Sequence, residues 1–221
     1  IHYYLARVHL ESDKTGLNKK VEYHLQKSID KKPSFIEALM TLGAYYASVG
    51  KEEKGLKLYE DYQKKYGPSV KVAEVLAQTY LEVEDYDAAY EQLEILEAQG
   101  EDQLNTKLKM ALILVEKKMF DQSSAKLKEI LKEVPDSDRA RFYLAAIYEQ
   151  TKQVDQAVAE YGRIPVESSY FNDSVIHATY LLKADKRIED AVSLVEKSIQ
   201  KKGNEASFYS LYASLLNEQK K

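Results

Sequence analysis

Small side chains recur along this chain at a fixed step of 34 residues. Gly43, Ala77, Ala111, Ala145, Thr179 and Ala213 all fall on one such series. One residue earlier the series reads Leu42, Leu76, Met110, Leu144, Ala178 and Tyr212. Three residues later it reads Tyr46, Tyr80, Leu114, Tyr148, Leu182 and Leu216. A second series, also small, runs Gly55, Ala89, Ser123, Ala157 and Ala191. Four and seven residues beyond it come large groups, among them Tyr59, Leu93 and Leu127, then Tyr62, Leu96 and Ile130. Offsets of three, four and seven put these groups on one face of a helix. The pattern therefore predicts two helices per 34 residues, joined by short polar turns such as Val49–Lys51, Glu82–Asp87 and Lys117–Asp121. Two antiparallel helices approach closely only where neither carries a bulky side chain at their crossing. A hairpin of this size cannot bury its apolar face alone, so copies must stack.

Composition agrees. The chain of 221 residues has only 4 Pro and 8 Gly, too few for the frequent turns of a sandwich or barrel. A net charge of −4 argues against a general nucleic-acid binder. The basic pairs Lys31-Lys32 and Lys64-Lys65 fall at predicted helix ends, where cations complement the helix dipole. There is no cysteine, which excludes disulfides, thiolate metal sites and cysteine nucleophiles. No apolar run reaches the roughly 18 residues of a membrane span. No signal peptide is visible. The chain opens on Ile1 in mid-helix, so we expect a longer parent protein, and the sequence leaves its compartment open between the cytoplasm and, if a signal precedes it, the bacterial periplasm.

The repeat pattern resembles the tetratricopeptide repeat family. Its best-matching stretches are Leu39-x2-Leu42-Gly43-x2-Tyr46 with Gly55-x3-Tyr59, and Leu144-Ala145-x2-Tyr148 with Ala157-x3-Tyr161. Pro33 and Pro135 stand where the family closes its second helix, and Gly67-Pro68 and Gly203 do similar work. The resemblance implies an all-α fold: an α-solenoid, a right-handed superhelix of about six and a half repeats over 1–221, with boundaries near 35, 69, 103, 137, 171 and 205. The aromatic group many members carry early in the first helix is replaced by Leu39, Ala73, Lys107, Arg141 and Val175. In the first repeat, strict stepping puts His9 at the small position, and a three-residue slip puts Ala6 there; we expect the slip, with a longer Ser12–Asn18 turn. Repeat five should end at Ile164-Pro165, followed by a longer connection over Val166–Asp173. Repeats of this style are similar to those of bacterial proteins.

Family resemblance also implies that the first helix of each pair lines a concave surface. By register its inward residues are Met40 and Ala44, Glu74 and Gln78, Leu108 and Leu112, Phe142 and Ala146, Ile176 and Tyr180, and Lys183. Leu108, Leu112, Phe142, Ile176 and Tyr180 would form an apolar strip, a common mark of a recognition surface. The expected function is a non-catalytic scaffold that holds a partner protein or peptide in this groove. The alternative is a structural segment of a longer or oligomeric solenoid whose groove is self-covered. The Lys and Asn set by which one subtype grips chaperone carboxyl termini is missing from consecutive repeats.

Little points to chemistry. His2 and His9 could share a helix face but lack a third metal ligand. The acidic stretch Glu82, Glu84, Asp85 and Asp87 lacks the glycine and terminal glutamate of a calcium loop. Asp136-Ser137-Asp138 reads as a helix cap. We expect no cofactor, no metal site, no nucleic-acid partner and no enzymatic activity.

Overall fold

The computed structural model describes residues 1–12, 19–100 and 103–219. Among them are thirteen helices and no strand: α1 His2–Ser12, α2 Lys19–Lys31, α3 Ile36–Ser48, α4 Glu52–Tyr66, α5 Val70–Glu82, α6 Tyr86–Gln99, α7 Gln103–Glu116, α8 Phe120–Glu133, α9 Asp138–Gln150, α10 Val154–Tyr161, α11 Phe171–Ala184, α12 Ile188–Lys201 and α13 Ala206–Gln219. The chain is all-α. Its contacts divide it into two compact units, 1–106 and 107–221. Most of the Ser12–Asn18 turn lies outside the described residues.

Each unit has a core built on the small-residue series. In the first unit Gly43 and Gly55 meet at the α3–α4 crossing: a Cβ on Gly55 would lie 3.5 Å from the Gly43 carbonyl oxygen. Ala77 and Ala89 are buried on α5 and α6. On α1, Ala6 is buried, whereas His9 is half-buried. In the second unit Ala111, Ser123, Ala145, Ala157, Thr179 and Ala191 are all buried. The Ser123 hydroxyl donates to the Ala111 carbonyl at 2.7 Å, a polar version of the same crossing. Ala213 differs: it is exposed, because among the described residues no helix follows α13 to pack across it.

The turns inside the hairpins repeat as faithfully. Gly50, Glu84, Lys118, Lys152 and Lys186 all have φ between 58° and 68°. The next amide in each turn, from Lys51, Asp85, Met119, Gln153 or Arg187, donates back to Tyr46, Tyr80, Leu114, Tyr148 or Leu182 at 2.8–2.9 Å. This is a Schellman closure of the first helix, and it needs a left-handed residue. Four of the five left-handed residues are not glycine, so their conformation carries a steric cost.

Two departures from the family pattern have a structural role. The buried Lys107 ammonium meets Glu129 at 2.8 Å and Glu133 at 2.7 Å on α8. Arg141 meets Glu160 of α10 at 2.8 Å and the Pro135 carbonyl at 2.5 Å. Long cations thus reach across to the partner helix where an aromatic ring would otherwise fill the space. Bonding to Lys107 holds the Glu129 carboxyl below its ordinary range, and Glu129 and Glu133 raise the Lys107 ammonium.

Repeat five is shorter than the sequence suggests. α10 ends at Tyr161, and Gly162–Tyr170 form the connection to α11. Ile164, buried in the core, anchors the connection, and Pro165 follows it beyond the end of α10 rather than terminating a helix.

Three outcomes follow from these contacts. A Cβ on Gly43 would fall 1.9 Å from the Tyr59 hydroxyl, whereas one on Gly55 makes ordinary contacts. Gly43→Ala should therefore be less stable than Gly55→Ala by about 1–3 kcal/mol in urea unfolding. Lys152→Gly should stabilise the fold by up to about 1 kcal/mol by relieving its positive φ. For the Lys107 site, the lowered Glu129 value means stability present above the carboxylate range and lost as pH falls through it. The raised Lys107 value means loss at the alkaline end only above the usual lysine range. Wild type should accordingly lose more stability between neutral pH and acid than Lys107→Met, read from urea midpoints.

Candidate partner-binding site

In the second unit the first helices of the hairpins, α7, α9, α11 and α13, adjoin one another in sequence order and leave three seams. The α7–α9 seam opens into a cleft of 580 Å³. Its floor is apolar, with Leu112 and Val115 from α7, Phe120 at the start of α8, and Tyr143, Ala146 and Ile147 from α9. Glu116, Lys118 and Gln150 supply its polar rim. The α11–α13 seam holds a smaller cleft of 260 Å³. Ile176, Tyr180, Leu211 and Leu215 line it together with hydroxyls from Thr179, Ser207, Ser210 and Ser214. Lys183 is in this cleft, paired with Glu218 at 2.7 Å.

The middle seam, between α9 and α11, is polar. Glu149 accepts the Tyr161 hydroxyl at 2.8 Å and lies 3.0 Å from Nδ1 of His177. The His177 ring stacks on Tyr161, with centroids 5.5 Å apart. Burial, and then the Glu149 carboxylate, push the Tyr161 phenol well above its ordinary range. Tyr161 is thus a fixed donor to Glu149.

Several residues expected in the groove line these clefts: Leu112 and Ala146 the first, Ile176, Tyr180 and Lys183 the second. Tyr180 is 57% exposed. Leu108 does not belong with them. It is 2% exposed and packs in the core, because it shares its helix stripe with Ala111. Phe142 is half-buried and faces Tyr161, Tyr170 and His177 at 5.1–6.0 Å, so it supports the wall rather than presenting itself. In the first unit Met40 packs against the core. Ala44, Glu74 and Gln78 are exposed, and the Gln78 amide donates to Glu82 at 2.8 Å.

Register alone missed Tyr143, Ile147, Val115 and Phe120. The first three lie one residue or one turn from chosen positions, and Phe120 enters from the turn into α8. The sequence also left His24 out. It sits on α2, with its Nδ1 at 3.1 Å from that of His2 and its ring stacked on His9 at 5.7 Å. Burial, Lys31 and His24 lower the His2 imidazole. Among the described residues no group of three or more His, Asp or Glu is disposed to hold a metal ion.

The tetratricopeptide repeat family profile matches residues 114–168, a stretch that contains the first cleft's α8 and α9. Solved structures match the fold over most of the chain. YrrB, described as a tetratricopeptide repeat protein with an unusual peptide-binding site, superposes with a TM-score of 0.62 at 15% identity, covering 89% of this chain and 98% of that one. A tetratricopeptide repeat protein from Parabacteroides merdae gives 0.57 at 17% identity, over 90% and 79%. PilF of Pseudomonas aeruginosa gives 0.56 at 14% identity, over 98% and 96%. No curated protein matches the sequence. Residues 114–168 thus match the tetratricopeptide repeat family, and the fold over most of the chain is similar to that of tetratricopeptide repeat structures.

The chain has an α-solenoid fold, and tetratricopeptide repeat folds generally serve as protein–protein interaction scaffolds and are generally non-catalytic. Among the described residues no helix is long and apolar enough to cross a membrane.

Proposed function

We propose that this chain is a non-catalytic scaffold that binds a segment of another protein along the wall formed by α7, α9, α11 and α13. The α7–α9 cleft carries this reading. It is large enough for one or two bulky side chains, its floor is apolar, and its rim is polar. Recognition surfaces have this composition, with buried aromatic and aliphatic anchors inside a polar border. The description of YrrB as having a peptide-binding site is in keeping with it.

The test is a partner captured with the wild-type chain, then titrated as a purified complex. Leu112→Glu and Tyr143→Glu place a charge in the cleft and should weaken binding at least about tenfold. Ala125→Glu, at an exposed position on α8, should leave it unchanged. Phe142→Glu is a poor probe, because that ring supports the core. Unaltered binding by both cleft variants, with helical content intact by circular dichroism, would sink the reading.

A further inference from the structure

The three seams differ in chemistry in a definite order: apolar, charged, apolar. Resting on the wall as the binding surface, we infer that the partner is an extended protein segment carrying a basic residue between two apolar anchors. The middle seam makes this distinction. Glu149 is next in sequence to Gln150, which lines the first cleft, and His177 is next to Ile176, which lines the second. A chain running across the wall from one cleft to the other passes the α9–α11 seam, which holds this pair. The Glu149 and His177 side chains are 31% and 45% exposed, so both are within reach of it.

Charge decides which residue is accepted there. The Tyr161 hydroxyl donates to Glu149 and His177 Nδ1 lies 3.0 Å from it; neither a phenol nor a neutral imidazole cancels a carboxylate's charge. The two clefts each carry both signs of charge: Glu116 and Lys118 line the first, and Lys183 pairs with Glu218 in the second. A half-exposed carboxylate between low-dielectric apolar patches favours a cation and repels an anion more strongly than one in open water.

Spacing follows from helix packing. Neighbouring helix axes lie about 8–10 Å apart. An extended chain advances roughly 3.3 Å per residue. Each seam is therefore crossed in about three residues, which gives the pattern Leu-x-x-Lys-x-x-Leu.

Fluorescence anisotropy on the intact 221-residue chain tests this at pH 8, above the range in which imidazoles ordinarily titrate. The probes are labelled peptides Leu-Ser-Ser-Xaa-Ser-Ser-Leu with Lys, acetyl-lysine or Glu at the centre. The Lys peptide should bind about tenfold more tightly than the Glu peptide, and high salt should shrink the difference. Glu149→Gln should level the two. Should that variant not fold, the acetyl-lysine peptide removes the same charge from the other side and should lose the advantage in wild type. Equal affinity for the Lys and Glu peptides, or a preference that survives in Glu149→Gln, would overturn the charge reading. If Leu112→Glu still weakens every peptide, the wall remains the binding surface and only this inference falls. If no peptide binds, or Leu112→Glu changes nothing, the binding wall itself fails and the inference with it.

Discussion

The close approach of two helices at a pair of small residues is the constraint from which the rest follows. At the α3–α4 crossing it is glycine against glycine, with the Tyr59 ring filling the space a Gly43 Cβ would need. At the α7–α8 crossing a serine hydroxyl bonds an alanine carbonyl. Both solutions bring backbones together, and both let the surrounding Leu and Tyr groups close over the gap. A larger residue at either position would separate the helices and open voids along the hairpin.

Constant hairpin geometry is what creates a wall of adjoining first helices. When every first helix spends one stripe on its own hairpin, another stripe is left facing the next first helix. In the second unit those leftover stripes meet as seams, and their side chains determine what each seam holds. Large apolar groups leave a cleft between α7 and α9. Serines on α13 line the smaller cleft beside α11. Between them, the short α10 brings Tyr161 against His177 and Glu149, and the connection after it brings Tyr170 against Phe142. The shortened helix therefore does more than join two repeats: it builds the polar middle of the wall.

Much of this was legible in the sequence, because helical spacing and residue size are one-dimensional signals. Ala77, Ala111 and Ala145 are buried as the register requires. Leu112, Ala146, Ile176, Tyr180 and Lys183 line clefts as expected from the same register. Leu108 was misplaced because position on a helix face does not say how far a neighbouring helix extends over it. The left-handed Lys118, Lys152 and Lys186 were hidden for another reason. Lysine carries no turn signal, and only the hairpin's closure forces it into that conformation. Lys107 looked like a defect in the pattern until α8 supplied its two carboxylates.

By itself the sequence determined the helices, their pairing and the small residues at each crossing, since these depend on local periodicity and on volume. Tertiary structure alone decided which leftover side chains meet across a seam. Glu149, Tyr161 and His177 are far apart in the chain, on three helices, and their grouping depends on how α10 ends and how the connection returns. No local pattern encodes that return path, because it is set by the packing of Ile164 and Tyr170 against residues from other repeats.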